Sequence, residues 1–564
     1  MPSAMRPPAG EKRLAWFGLG VAMAVSATWL LLIGGDLTFH GDEVFYYANL
    51  VTKEGVTSQS YGLEYLFAPH NGHLVLLGRL AYEALFAVAG TDYGVFRAVE
   101  ILGVLACSGL FFVLAIRRTS PLVALALSIL LAFFGYANET LMWPFDLHTV
   151  YSAALGLGAI LALERDDRKG DIAGCVLLAL SVLMLEVGLA FVVGVAVLVL
   201  LRPDRRRRLW IFLVPLALYA IWWLWARQFD QSDVLFTNIR LVPSELVNAL
   251  AAVVGCLLGL NPTGAEARPE VVGVTPAATV AAGFGLAGLV YRVRRGAVPP
   301  TLWAFLATAI AYWLTMAAGG RPPDSTRYVF VGAVLVLLVA VDALRGVRFG
   351  WKATAAFFLV VALAIPANVA KLYDGRGPEI DVSRITGSEY AMLDLARGRD
   401  VDPGFVPAHD PEVEAAGGAL FVPLAAGDYF DAVDRNGSLG MPLSEVRGGD
   451  PKYGTIADAT LAGALQLKLT RAPAPKGSAS CPAISDATAS NIAYFDLERG
   501  GTVLGNRGED PVTVALSRFG PGAPGTPIGE LDPGEWAELR IPPDAAPDPW
   551  RAVVNGPVSV CPLP

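Results

Sequence analysis

Apolar residues come in long unbroken blocks along this chain. They do not show the alternation of a half-buried strand or the one-sided stripe of a soluble helix. The blocks lie at about 14–34, 95–116, 120–136, 148–163, 171–201, 209–226, 273–291, 300–318, 327–344 and 353–370. Each is near the length that crosses a hydrocarbon core of about 30 Å as a helix, so each predicts a crossing. The block at 171–201 is too long for one. Asp166 to Lys169 stand before it, Arg202 to Arg208 after it and Glu186 in its middle, which predicts a hairpin of two short helices with both charged ends on one side. The total is about 11 crossings. Segments 74–90 and 244–260 are read as not crossing. The first contains Arg79 and Glu83, each costing about 2.5–3.5 kcal/mol at the bilayer centre, and reads as an amphipathic helix at the interface. The second is set aside on loop parity alone.

The pattern changes near Ala370. From Lys371 onward the chain is rich in Pro, Gly, Asp and Glu. It carries 27 acidic and 16 basic side chains there, so the tail accounts for −11 of a total of −8 and the remainder is +3. The 54% hydrophobic composition and mean hydropathy of +0.50 are too apolar for one soluble domain. The expected fold class is therefore a polytopic α-helical membrane protein. Its transmembrane domain is 1–370 with a large first external loop at 35–94, followed by an α-containing region at 371–475 and a β-sandwich-like domain at 476–564. In that last part, runs from Asn491 to Leu497, Pro511 to Phe519, Glu535 to Ile541 and Ala552 to Cys561 alternate apolar and polar residues between Gly/Pro turns. The segment from Gly427 to Asp434 has no functional reading.

Basic residues gather in alternate loops: Arg6 to Arg13, Arg117 and Arg118, Arg165 to Lys169, Arg202 to Arg208, Arg292 to Arg295, and Arg345 to Lys352. The positive-inside rule makes these cytoplasmic, with the amino terminus inside and the acidic tail outside. The first apolar block lacks a small-residue cleavage site before Asp36 and reads as the first crossing. Cys107, Cys175 and Cys256 lie in apolar runs as packing residues. Cys481 and Cys561 bracket the sandwich-like part and read as one disulfide of an oxidising compartment, against two free thiols. Trp536 and Trp550 are either exposed stacking residues for a glycan or core residues of a lid.

With this topology the external side collects the unusual polar residues. The first external loop carries His40, Asp42, Glu43, Glu64, His70, Asn71 and His73, and the next carries Asn138, Glu139 and Asp146 and leads into His148. Four of the five histidines fall there. Glu186, Arg227, Asp230, Asp233, Arg240, Arg321, Asp324, Arg327 and Tyr328 face the same side. The turn Phe39-His40-Gly41-Asp42-Glu43 puts two carboxylates where a helix leaves the bilayer, as a base for a lipid-borne substrate requires, or as a solvated turn would. His70 and His73, with Asp42, can bind a divalent metal or simply hydrogen-bond within Pro69-His70-Asn71-Gly72-His73. Asp146 is either an active-site acid or a helix cap. Glu186 needs a polar partner or cavity. The planar fork of Arg327 suits a phosphate.

These residues resemble the GT-C superfamily, polytopic glycosyltransferases that use polyprenyl-phosphate sugars, such as the protein mannosyltransferase, aminoarabinose transferase and arabinosyltransferase types. Four features carry the resemblance: Gly41-Asp42-Glu43 after the first crossing, a large first external loop with surface helices, Leu185-Glu186-Val187-Gly188-Leu189 in a short hairpin, and Ser325-Thr326-Arg327-Tyr328 opening a late crossing. The resemblance covers roughly 14–370. It implies that Asp42, with Glu43 as the alternative, is the general base or helps bind a metal, and that Asp146 or Glu139 completes the site. It makes Arg327, paired in sequence with Tyr328, the phosphate contact. Glu186, His40, His73 and Arg321 are further candidates for binding the substrate or its phosphate. Many relatives carry a Lys before the acidic residue of the hairpin, where this chain has Met184 and Leu185; Arg227, Arg240 or Arg321 would have to replace it. The implied activity is transfer of a hexose or pentose from a polyprenyl-phosphate donor, a membrane lipid, to a glycan or other cell-envelope acceptor on the outer face of a bacterial-type plasma membrane. No nucleic acid is implied. The alternatives are a transporter or flippase of a lipid or glycan, and a catalytically inactive relative acting as a scaffold. Against the transporter, the ionisable residues gather at one face and no internal repeat is visible.

Overall fold

The computed structural model describes residues 9–53, 56–229, 242–263, 271–296, 298–407, 424–484, 492–520 and 525–563. It divides into two units. The first comprises Met1–Asp36 and Asn49–Glu379, the second Leu37–Ala48 and Ile380–Pro564. Asp230, Asp233 and Arg240 lie outside the described residues.

In the first unit the apolar blocks are helices. Among the described residues seven are long and apolar enough to cross a membrane: Gly10–Ile33, Tyr93–Ala115, Pro121–Met142, Pro144–Leu163, Pro276–Arg294, Pro300–Ala318 and Trp351–Ala396. Four shorter apolar helices accompany them: Val187–Leu200, Trp210–Ala226, Val242–Leu258 and Val329–Ala343. This is a multi-pass membrane protein. Helix starts follow local chemistry. Ser120 and Thr275 accept from the backbone N–H groups of Val123 and Ala278, each with Pro at the first helical position, where its missing N–H is harmless.

The long block breaks as expected into Arg168–Met184 and Val187–Leu200, with extended Leu185 between them. The charged ends meet: Arg202 and Arg208 both pair with Asp166, and Arg208 also donates from Nε to Asp171 at 2.9 Å. At the break, Ser152 Oγ on a neighbouring helix lies 2.8 Å from the Ser181 carbonyl and 3.2 Å from that of Leu185, adding to the backbone N–H groups of Leu185 and Gly188 that those carbonyls already accept.

Leu76–Ala89 is amphipathic, yet its cation turns inward. Arg79 is fully buried over the Tyr65 ring at 4.7 Å, while Leu80 and Val88 are exposed. Val242–Leu258, which loop parity kept out of the membrane, is a continuous apolar helix of 17 residues, as long as Trp210–Ala226. It packs on Pro276–Arg294, Pro300–Ala318 and Val329–Ala343. Parity had no access to this packing, because it counts loop charges only. Two further sets of buried charges are paired. Arg97 donates to Glu100 at 2.8 Å and to the Leu30 and Leu141 carbonyls, and Arg118 to Asp342 at 3.2 Å. A small hairpin of β1 (Leu50–Lys53) and β2 (Val56–Gln59) also belongs to this unit.

The helix Trp351–Ala396 runs on past Ala370, and its last part opens the second unit's main body. The helices Ala426–Asn436, Leu443–Gly448 and Pro451–Ala464 follow. Then come β3 (Thr470–Arg471), β4 (Ala483–Ile484), β5 (Ala493–Asp496), β6 (Gly500–Asn506), β7 (Val512–Ser517), β8 (Thr526–Leu531), β9 (Trp536–Ile541), β10 (Arg551–Val554) and β11 (Val558–Pro562). They form two antiparallel sheets, ordered β5-β10-β7-β8 and β3-β9-β6-β11-β4. Leu504, Val514, Leu531, Ala537, Val554 and Val558 share a core. The expected runs at 491–497, 511–519 and 535–541 contain β5, β7 and β9, whereas the run at 552–561 is split into β10 and β11 in different sheets, and β6 and β8 are not among the expected runs. Trp550 is only 3% exposed, 5.4 Å from the Arg518 guanidinium, so it is a core residue and not an exposed stacking platform.

Cys481 and Cys561 are disulfide-bonded across a separation of 80 residues, and Cys107, Cys175 and Cys256 are buried free thiols. Closing so long a loop restricts the unfolded chain and stabilises the fold by up to about 4.5 kcal/mol. The double substitution C481S/C561S is expected to speed amide exchange in β4, β6 and β11 more than in β7 and β8. Equal exchange throughout would contradict this.

Asp458, on Pro451–Ala464, accepts from the backbone N–H groups of Arg518, Phe519 and Gly520 at 2.8, 2.9 and 3.1 Å. It clips that helix to the end of β7. Burial nonetheless pushes its carboxyl up to about 6, against the pull of those donors. Because the folded value lies above the ordinary carboxylate value of about 3.9, the folded state binds more protons between the two, and stability falls as pH rises through that window. Thermal unfolding at pH 4.5 and pH 7 is expected to show this loss in wild type and a smaller one in D458N. Identical pH dependence in the two proteins would contradict it.

Candidate functional site

Residues 69–73 start the site in the first unit. Asn71 and Gly72 both have positive φ, 48° and 81°, which an Asn-Gly pair tolerates in a tight reversal. His70 and His73 therefore face each other as a two-way backbone bridge, with N–H to carbonyl distances of 3.0 and 2.8 Å. The turn presents the His73 ring to Glu186, and the two pair through Nδ1 and Oε2. Glu186 Oε1 also accepts from the Leu74 N–H at 3.2 Å. Glu186 sits where the hairpin breaks, at the amino end of Val187–Leu200. It thus has the polar partner its position demands.

A second charged pair lies across the 138–146 and 321–328 segments. Arg327 donates from Nε to Glu139 Oε1 at 2.8 Å, with Nη2 at 2.5 Å from the same oxygen, and its guanidinium lies 4.7 Å from the Trp143 ring. Thr326 donates to Glu139 Oε2 at 3.1 Å, and Thr140 to the Arg327 carbonyl at 2.9 Å. Tyr312 holds the Tyr328 carbonyl at 2.9 Å. Arg321 ties this segment to the histidine turn, reaching the Tyr328 hydroxyl at 3.3 Å and the Asn71 carbonyl at 3.4 Å. The Trp143 ring stacks on Phe145 at 4.9 Å, and Phe145 meets the His70 ring at 5.3 Å. Asp146 is buried at the start of Leu147–Leu163 and accepts from the Thr149 hydroxyl at 2.8 Å. This bond is to a side chain of the helix's first turn, and Asp146 makes no side-chain cap to the helix's backbone N–H groups.

Within this unit the structure thus brings together His73, Glu186, Arg321, Arg327, Tyr328, Glu139 and Asp146 from four segments far apart in sequence. Of the cations considered as substitutes for the missing Lys, Arg321 belongs to this cluster. Arg227 is exposed and lies on the Trp223 ring at 5.3 Å. Sequence reasoning missed the Glu139–Arg327 pairing and the Trp143 face beneath it. The Trp143-Pro144 break in an apolar run was the available signal.

The acidic turn belongs to the second unit. Gly41 takes a φ of +58°, which allows the chain to reverse before the short helix Glu43–Tyr47. His40 Nδ1 lies 2.8 Å from the Thr38 carbonyl. The turn is held at both ends. Thr38 N–H donates to Ser383 Oγ at 2.6 Å, the Tyr47 hydroxyl donates to the Gly437 carbonyl at 2.6 Å, and Asn436 donates to the Tyr47 carbonyl at 3.0 Å. Tyr429 stacks on Tyr390 at 4.5 Å and meets Tyr47 at 6.2 Å, so the 427–434 segment, unassigned from sequence, helps to support this turn. The two carboxylates differ. Glu43 is fully buried with Oε2 3.4 Å from the His40 N–H, whereas Asp42 is half-exposed at the amino end of the short helix.

Among the described residues no group of three or more His, Cys, Asp or Glu is placed to hold a metal ion. His70 and His73 are joined through their backbones, and the His73 ring is engaged with Glu186.

No model of a known protein family matches the chain, and no curated protein matches it. Among solved structures it is similar to the crystal structure of the Archaeoglobus fulgidus oligosaccharyltransferase in complex with Zn and sulfate, with a TM-score of 0.39 and 13% identity, over 81% of this chain and 72% of that one.

Proposed function

We propose that the protein is an integral-membrane glycosyltransferase that moves a sugar from a polyprenyl-phosphate donor to a cell-envelope acceptor at the extracytoplasmic face. The observation that carries the reading is the Glu139–Arg327–Trp143 cluster at the ends of apolar helices, with the His73–Glu186 pair beside it. A guanidinium held between a carboxylate and an indole face keeps a defined orientation, and its planar fork suits a phosphate oxygen pair. Glycosyl transfer needs a base for the acceptor hydroxyl and a cation for the departing phosphate. Asp42 takes the first role and Arg327 the second, with Arg321 as a further phosphate-side cation. Asp42 is preferred to Glu43 because it is half-exposed, whereas Glu43 is buried and turned back on its own loop. Asp146 is the second acidic residue of the site. The donor's lipid chain lies between apolar helices.

The test is deletion of the gene followed by complementation, with envelope glycans profiled by linkage analysis. Loss of one sugar linkage, accumulation of its polyprenyl-phosphate donor and restoration of both by the wild-type chain are expected. An unchanged profile would refute the enzyme reading, and accumulation of donor on the inner leaflet alone would instead identify a flippase.

A further inference from the structure

The most basic stretch of the chain is the loop between Val187–Leu200 and Trp210–Ala226, and the proposed chemistry does not use it. Its arginines are of two kinds. Arg202 and Arg208 are committed to carboxylates: Arg202 pairs with Asp166 and Asp204, and Arg208 with Asp166 and Asp171. These contacts fix the loop to the start of Arg168–Met184. Arg205, Arg206 and Arg207 are exposed and pair with no carboxylate among the described residues; Arg205 reaches only the Leu200 carbonyl, at 3.5 Å. Together with Leu200, Leu201, Arg202, Pro203 and Asp204 they line a shallow concavity of about 770 Å³, in which the one carboxylate, Asp204, is paired with Arg202 at 3.2 Å and Arg208 at 3.6 Å.

We propose that this concavity binds the phosphate of an acidic phospholipid. The lipid source follows from the surroundings. The concavity sits at the joint of two apolar helices, and Leu200, Leu201 and Trp210 are 47%, 51% and 37% exposed beside it. A headgroup phosphate held by the three guanidinium groups leaves its acyl chains to run along those apolar side chains. A soluble anion would gain nothing from them. Each arginine near a lipid surface strengthens binding of acidic lipid about fivefold, so three acting together contribute on the order of 100-fold. Arg202 and Arg208 engage Asp204 as well as Asp166, so among the described residues Arg205, Arg206 and Arg207 are not ion-paired with it.

The test titrates short-chain phosphatidylglycerol into the detergent-solubilised full-length protein. Binding is expected to be at least tenfold tighter than for phosphatidylcholine of the same chain length. R205Q/R206Q/R207Q is expected to abolish that preference, while the single exposed substitutions R206Q and R207Q each weaken binding about fivefold, which keeps the test sound if the triple variant does not fold. Equal binding of the two lipids by wild type, or unchanged affinity in all the variants, would overturn the proposal. So would displacement of phosphatidylglycerol by inorganic phosphate at equal concentration, which would identify a soluble-anion site.

Discussion

Replacing Arg327 by glutamine is expected to destabilise the membrane unit by about 3 kcal/mol, because it leaves Glu139 largely buried without its cation. The figure is at the low end for buried pairs because the Arg327 side chain keeps 24% exposure. The expectation sharpens with a second substitution. In R327M/E139Q no charge is stranded, so most of the lost stability returns, whereas sugar transfer does not, because the guanidinium is still missing. R327K separates the effects differently. It keeps a charge near Glu139 but loses the two-pronged geometry and the stacking on Trp143 at 4.7 Å, so transfer falls well before stability does. Thermal inactivation in detergent and transfer in membranes are the two readouts. Full transfer by a folded R327M/E139Q would remove Arg327 from the phosphate-binding role.

How much of this was legible in the sequence depends on whether the deciding interaction was local. The hairpin at 168–200 was legible because a charge pattern and a length limit act within one segment, and Asp166 meets Arg202 as those limits require. β5, β7 and β9 were legible from two-residue alternation, which did not separate β10 from β11, and the Cys481–Cys561 bond from composition and spacing. The Glu139–Arg327 pair was not. Its members lie 188 positions apart, and nothing in either neighbourhood names the other. Nor was the membership of the acidic turn. Sequence order assigns residues 37–48 to the first external loop, but Ser383, Asn436 and Gly437 hold them in the second unit. For Trp550 the sequence left exposed stacking and core burial both open, and its burial beside Arg518 depends on how the 543–550 loop folds back.

The supported turn bears directly on the central claim. A carboxylate can serve as a base only if its position is fixed and it remains able to meet the acceptor. Hydrogen bonds at Thr38 and Tyr47 fix the turn, and half-exposure keeps Asp42 accessible. Glu43 meets the first condition and not the second. E43Q is therefore expected to lower stability while retaining measurable transfer, since the amide can still accept from the His40 N–H.

The most direct measurement is transfer by D42N, expressed at wild-type level in a host lacking the native gene, with envelope glycans compared with those of wild type. An amide cannot accept the hydroxyl proton, so transfer is expected to fall about 10²- to 10⁴-fold while the protein stays folded and inserted. Wild-type glycans from a well-expressed D42N protein would contradict the assignment of Asp42 as the acceptor base.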